Sequence, residues 1–211
     1  KGLQRQARGF GITRIYMSKT VLITGGSGFI GANLARALVA AGTDRIFICA
    51  RKKSDIWRLQ GVDKAISIQY ADMMDAESVR RAVLATRPHI VYHLATFGAY
   101  SHQKDMETIV RTNILGSAAL FEALRETESA SSIINVGSTS EYGFKENPMK
   151  ETDVLEPNTT YGVAKAAQTH FASMYASMYK LPVVAFRLSL VYGPYEESGR
   201  LIPDIMKAFI K

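Results

Sequence analysis

The sequence predicts an α/β fold, a doubly wound parallel sheet with helices on both faces, from three observations. Short apolar runs rich in β-branched residues alternate with stretches of helical periodicity along most of the chain. The first run, Val21-Leu22-Ile23, has the character of a strand buried on both faces. It leads into a turn holding Gly25, Gly26, Gly28 and Gly31, and then into a stretch of helix formers over residues 32–39. Strand, glycine turn and helix in that order point to dinucleotide binding. Glycine allows a sharp turn and close backbone approach to a pyrophosphate, and the helix N-terminus offers N–H groups and a positive dipole end. Two glycine spacings fit, Gly26-x-Gly28-x-x-Gly31 and Gly25-x-x-Gly28-x-x-Gly31.

The remaining elements follow in turn. Gly42 stops the first helix, and residues 45–50 read as a second strand. Residues 65–70 alternate and read as a third. A helix over 75–86 places Ala76, Val79, Ala82 and Val83 on one face. Pro88 precedes a fourth strand at 90–94. A long helix over 107–125 turns Ile114, Leu115, Ala118, Phe121 and Leu124 inward, and residues 132–136 form a fifth strand. Residues 144–158, with Pro148 and Pro157, read as a loop. A second long helix spans 161–179 and a sixth strand 183–188. Residues 202–211 have helical character with no stop signal, so the chain is expected to be cut within an element. Repeated β-α-β units imply a parallel sheet, and such sheets bind ligands at the carboxyl ends of their strands.

The 211 residues, 47% hydrophobic and 21% charged, suit one domain with a sizeable core. No apolar run is long enough to span a membrane. The single cysteine, Cys49, excludes a disulfide framework and a cysteine metal cluster, and fits a reducing, cytoplasmic compartment. Four of the basic residues behind the net charge of +7, Lys1, Arg5, Arg8 and Arg14, lie in residues 1–16, which hold no acid. That segment reads as a basic extension outside the fold, with the natural start at Met17; a basic arm or targeting peptide is the other reading. Residues 17–211 are then the dinucleotide-binding domain. The charge carries little weight as a nucleic-acid signal, and no nucleic-acid or membrane partner is expected.

Catalytic chemistry is suggested by Tyr161-Gly162-Val163-Ala164-Lys165. Residues four apart share a helix face, so phenol and ammonium are neighbours, and the cation is expected to lower the tyrosine pKa. Such a tyrosine suits acid/base work. Ser138-Thr139-Ser140, at the end of the fifth strand, could hydrogen-bond the same substrate oxygen.

At this point the chain resembles an extended short-chain dehydrogenase/reductase of the NAD-dependent epimerase/dehydratase family, whose members act on nucleotide sugars. The matching pieces are T-G-G-S-G-F-I-G (24–31), Y-A-D-M-M-D (70–75), H-I-V-Y-H-L-A-T (89–96), T-N-I-L-G-S (112–117), G-S-T-S-E-Y-G (137–143), Y-G-V-A-K (161–165) and R-L-S-L-V-Y-G-P (187–194). The resemblance implies a Rossmann-like cofactor domain with the C-terminal substrate domain largely missing. It implies that Gly25, Ser27, Gly28, Phe29, Ile30 and Gly31 hold the pyrophosphate, that Asp72 and Met73 border the adenine, and that Leu94, Ala95 and Thr96 line the cofactor. Family members usually have alanine where Thr96 stands. Tyr161 would be the acid/base, and Lys165 would hold the nicotinamide ribose. Ser138 takes the catalytic hydroxyl when the motif is anchored on Tyr142-Gly143. Anchored on its left, Thr139 takes that role and Glu141 falls where dehydratases keep an acid; otherwise Glu141 is a solvated loop acid. The two long helices imply a homodimer surface.

Two departures bear on the reaction. Ala50 stands where NAD-using members usually place an acid, followed by Arg51, Lys52, Lys53 and Ser54. Arg51 and Ser54 would suit a 2′-phosphate, which favours NADP over NAD. Leu190 replaces an asparagine that touches the nucleotide sugar in many members, which weighs against a UDP-sugar 4-epimerase. A nucleotide-sugar epimerase or keto-sugar reductase is therefore expected. A non-catalytic dinucleotide-binding or sensing protein is the rival, and the complete Ser138, Tyr161 and Lys165 set argues against it. An inactive fragment is the third reading. No metal site is expected.

Overall fold

A computed structural model describes residues 19–210; the basic extension and the start at Met17 lie outside the described residues. Six strands form one sheet: β1 (Thr20–Thr24), β2 (Arg45–Ala50), β3 (Ser67–Tyr70), β4 (Ile90–His93), β5 (Ser132–Ser138) and β6 (Val183–Leu188). Their spatial order is β3-β2-β1-β4-β5-β6, and every neighbouring pair is parallel. The order reverses between β1 and β4, where doubly wound sheets open a crevice at their carboxyl ends. The expected fold class is thus the observed one.

The helices are α1 (Phe29–Ala40), α2 (Ala76–Thr86), α3 (Met106–Val110), α4 (Gly116–Thr127), α5 (Thr160–Tyr179) and α6 (Leu201–Ile210). β1 is buried along its whole length, and its alternation feeds two cores. Val21 and Ile23 pack with Ala32, Ala35 and Leu38 of α1, and with Leu59 and Val62 of the following turns. Leu22 faces the other way, towards Val79 and Val83 of α2, Phe121 and Leu124 of α4, and Ala172 and Tyr175 of α5.

Some boundaries move. The third strand begins at Ser67, because Asp63–Ala65 is a 3-10 turn. The fifth runs on to Ser138. Ala76 is exposed, while Val79, Ala82 and Val83 are buried as expected. The long helix predicted at 107–125 is α3 and α4 joined by a π-helical segment, Arg111–Leu115. One extra residue in a turn rotates the face by about 100°. Leu115 is therefore 59% exposed, and Asn113 and Ser117 are buried instead.

No helix among the described residues is long and apolar enough to cross a membrane, and no group of three or more metal-ligating side chains occurs there.

Candidate active site

A cavity of about 790 Å³ opens at the carboxyl ends of the strands. That is ample for a small-molecule or cofactor site. Gly25, Ser27, Gly28, Phe29, Ile30 and Gly31 line one part of it. Gly25 has φ +67°, and a Cβ there would lie 2.7 Å from the backbone of Ala95. A Cβ at Gly31 would lie 2.5 Å from the Gly25 carbonyl oxygen. Only glycine permits this crossing of loop and helix. Gly26 plays a different part: it packs against the Ile48 side chain and does not line the cavity. The glycines facing the cavity follow the Gly25-x-x-Gly28-x-x-Gly31 spacing. Gly28 caps α1 without a side-chain hydrogen bond, and the first turn holds no acid. The α1 N-terminus is thus a ready anion site.

Arg51 and Ser54 line the cavity beyond the end of β2, and Asp72 and Met73 line it beyond β3. The loop at Met73 is held by Gly116 at the start of α4, where a Cβ would lie 2.4 Å from the Met73 carbonyl oxygen. Cys49 also borders the cavity; burial pushes its thiol up to about 12, so it is inert near neutrality.

Leu94, Ala95 and Thr96 follow β4 and line the cavity between its two ends. A buried chain of hydrogen bonds sets this segment. The Ala95 N–H donates to Thr24 Oγ1 (3.1 Å), which meets His93 Nδ1 at 2.7 Å. His93 Nε2 lies 2.8 Å from Ser117 Oγ, which donates to the Asn113 carbonyl (2.7 Å). This order of donors places the imidazole proton on Nε2. Burial lowers the His93 pKa to about 3, so the ring is neutral and structural. Asn113 Oδ1 in turn accepts from the Phe97 N–H (2.9 Å) and the Thr96 hydroxyl (3.3 Å).

Ser138, Tyr161 and Lys165 meet at the remaining part of the cavity. The Thr159 hydroxyl caps α5 by accepting the Gly162 N–H (3.0 Å). A Cβ on Gly162 would lie 2.6 Å from the Ser140 carbonyl oxygen, so glycine at this position lets α5 close on the serine turn. The Tyr161 phenol lies beside the Ser138 and Thr96 side chains, whose hydrogen-bonding influence acts to lower its pKa. Its pKa is nevertheless raised: burial outweighs that influence, and the charge of Glu141 adds to the rise against that of Arg200. This corrects the expected lowering by Lys165. The Lys165 ammonium, 2% exposed, turns instead to the Val136 carbonyl (2.6 Å) and to Gln168 Oε1. Burial lowers its own pKa to about 8.

Thr139 and Ser140 line the cavity; Glu141 does not. Glu141 is fully buried, which overturns its reading as a solvated loop acid. The far wall comes from residues 189–200, a loop without periodicity in which sequence reasoning singles out only Leu190. Asn33 and Arg58 hold it by donating to the carbonyls of Pro194 (2.9 Å) and Tyr195 (2.9 Å). Arg200 lines the cavity, donates to the Ala99 carbonyl (3.1 Å) and lies over the Tyr100 ring. No local pattern marks Arg200, whereas Thr96 is visible as the hydroxyl replacing a usual alanine.

A six-stranded sheet of this order, with a glycine loop at one part of its crevice and a Tyr-x-x-x-Lys helix at another, defines a Rossmann-type dinucleotide domain. The chain belongs to the NAD dependent epimerase/dehydratase family, whose model matches residues 21–211. It is 30% identical over 205 residues to dTDP-glucose 4,6-dehydratase of Xanthomonas campestris pv. campestris (strain B100), covering 89% of this chain and 57% of that protein. It is 31% identical over 181 residues to D-erythronate dehydrogenase of Cupriavidus necator, covering 79% of this chain and 56% of that protein. Among solved structures it is similar to the UDP-glucose 4-epimerase of Thermus thermophilus in complex with NAD, with a TM-score of 0.76, 29% identity, and coverage of 84% of this chain and 57% of that one. The chain therefore spans little more than half the length of these relatives.

Proposed function

We propose that this chain forms the cofactor-binding and catalytic part of an enzyme that moves a hydride between a nicotinamide cofactor and a nucleotide sugar, as an epimerase or keto-sugar reductase. The observation that carries this reading is that Tyr161, Ser138 and Lys165 line the same cavity as the glycine loop. Two of the three relatives support the substrate class: one is a dTDP-glucose 4,6-dehydratase and another a UDP-glucose 4-epimerase in complex with NAD.

The residues present fit a dinucleotide. Gly25, Gly28 and Gly31 leave backbone open where side chains would crowd it, and the α1 N-terminus would hold the phosphates. Asp72 and Met73 would border the adenine, and Lys165 the nicotinamide ribose. The bound nicotinamide would supply the hydride chemistry. Tyr161, held as a phenol, donates its proton to a substrate carbonyl oxygen, and Ser138 hydrogen-bonds that oxygen. A dehydratase needs an added acid for water loss. Glu141 does not serve, since its carboxylate is committed to the Ser138 N–H and to Arg187.

Arg51 and Ser54 in the cavity wall support NADP over NAD. Calorimetric titration tests this: NADPH binds more tightly than NADH, and Arg51→Asp weakens NADPH by about tenfold or more while leaving NADH little changed. That is the worth of a charge-assisted hydrogen bond, about 1.5–3 kcal/mol. Tighter NADH binding overturns the 2′-phosphate assignment, and binding of neither cofactor overturns the cofactor reading itself.

The same reading pairs two copies through α3, the π-helical segment after it, α4 and α5, which together expose Met106, Leu115, Val163, Met178 and Tyr179. Sedimentation should show a dimer that Leu115→Glu converts to monomer. A parent chain that is monomeric at tens of micromolar overturns the pairing.

A further inference from the structure

Glu141 is the one buried acidic residue among the described residues. Burial strongly disfavours a carboxylate unless its oxygens are satisfied. Here both are. Oε1 accepts the Ser138 N–H at 2.8 Å, and Oε2 accepts Arg187 Nε–H at 2.8 Å. The Ser138 hydroxyl accepts the Ser140 N–H at 3.1 Å, which closes a reciprocal capping box over the 3-10 turn Thr139–Tyr142. Arg187, on the edge strand β6, also donates to the Tyr142 hydroxyl at 2.9 Å. Space for the carboxylate is left by Gly137, where a Cβ would lie 2.3 Å from Glu141 Oε1. A glycine, a buried acid and an arginine 46 positions away thus converge on the backbone of one serine.

We propose that Glu141 is the positioning residue of the site: one carboxylate oxygen fixes Ser138 at the end of β5, the other is anchored by Arg187, and the charge so held stands behind both Tyr161 and Lys165. This rests on the assignment of Ser138, Tyr161 and Lys165 to the chemistry. Glu141 does not line the site cavity and acts only through them. Its negative charge favours the phenol form of Tyr161 and the ammonium form of Lys165, against the burial that favours the neutral amine. The titratable and charged groups around Lys165 are Glu141 on the 3-10 turn, Tyr161 one turn earlier on α5, neutral His93 at the end of β4, and Arg187 on β6 behind Glu141. Arg200 acts on Tyr161 from the far wall.

The test is the Lys165 titration, followed by NMR of the lysine-labelled chain without cofactor or substrate, with the resonance assigned through Lys165→Met. Glu141→Gln should lower the midpoint from about 8 to about 7 or below. Arg187→Gln, which leaves the carboxylate without its counter-charge, should raise it towards about 9. Glu141→Asp, which keeps the charge, should recover much of the parent value. An unshifted midpoint in a folded Glu141→Gln chain, or shifts of one sign in both variants, overturns the proposal. If Glu141→Gln does not fold, the double variant Glu141→Gln/Arg187→Gln, which removes the buried pair together, decides: its midpoint should lie below that of Arg187→Gln, and equal midpoints overturn the proposal. Because no turnover is involved, this result is separate from a failure of Tyr161 as the acid/base, which kinetics alone reads.

Discussion

Tyr161→Phe lowers turnover by about 10²- to 10⁴-fold, the usual contribution of a positioned acid/base group. The full-length enzyme, assayed with a nucleotide sugar, is the setting for the measurement. Phenylalanine keeps the ring that packs against Gly98 and removes only the hydroxyl that meets Ser138 and Thr96. Cofactor affinity, read by calorimetry, should therefore stay within about twofold of the parent, since none of the glycine-loop contacts is touched. The pH profile separates two groups that share the cavity. Burial raises the Tyr161 pKa above its ordinary value near 10, so the phenol keeps its proton across the neutral range. Lys165 carries a pKa lowered to about 8, so its positive charge is present below that pH and is lost as pH rises through it. An alkaline fall in rate near pH 8 should then report Lys165, and Lys165→Met should abolish that limb while lowering the overall rate. A Tyr161→Phe enzyme that turns over at the parent rate would transfer the case to the rival reading, a dinucleotide-binding protein without catalysis.

The parts of this molecule legible in the sequence are those whose signal is local. β1 and its glycine turn are readable because a short buried strand, a turn needing small residues and a helix start lie within about twenty residues. Tyr161 and Lys165 are readable because helical spacing alone puts them on one face. Longer-range physics hides the rest. Thr-Asn-Ile-Leu carries ordinary helical periodicity, and nothing in it announces the π turn that exposes Leu115 and buries Asn113. Glu141 sits in a run of small polar residues and looks solvated; the arginine that neutralises it belongs to β6, 46 positions on. The direction of the tyrosine pKa is hidden for the same reason. Sequence spacing gives the nearest cation but not the carbonyl and amide that draw its ammonium aside, nor the burial that outweighs charge.

Gly31→Ala should cost about 1–3 kcal/mol of stability and lower dinucleotide affinity at least about tenfold, whereas Gly42→Ala should cost about 1–2 kcal/mol and leave affinity unchanged. The two glycines stand at opposite ends of α1 and are glycine for different reasons. At Gly31 the obstacle is space: a Cβ would lie 2.5 Å from the Gly25 carbonyl oxygen and 2.6 Å from Gly26 Cα. Both are backbone atoms and neither can swing away, so helix and loop must separate. That separation moves the N–H groups that would face the phosphates, and the loss appears in binding as well as in stability. At Gly42 a Cβ would meet nothing within 4 Å, and the obstacle is the backbone itself, with φ at +80°. Its N–H closes the helix on the Val39 carbonyl (3.0 Å), far from the phosphate end, so strain there stays local. Urea denaturation and calorimetry with NADH and NADPH measure the two effects on the same preparations. Equal destabilisation with a loss of affinity only at Gly31 supports the loop as the phosphate cradle. A Gly31→Ala chain that binds either dinucleotide as tightly as the parent would remove Gly25, Gly28 and Gly31 from the site together, because all three depend on one crossing.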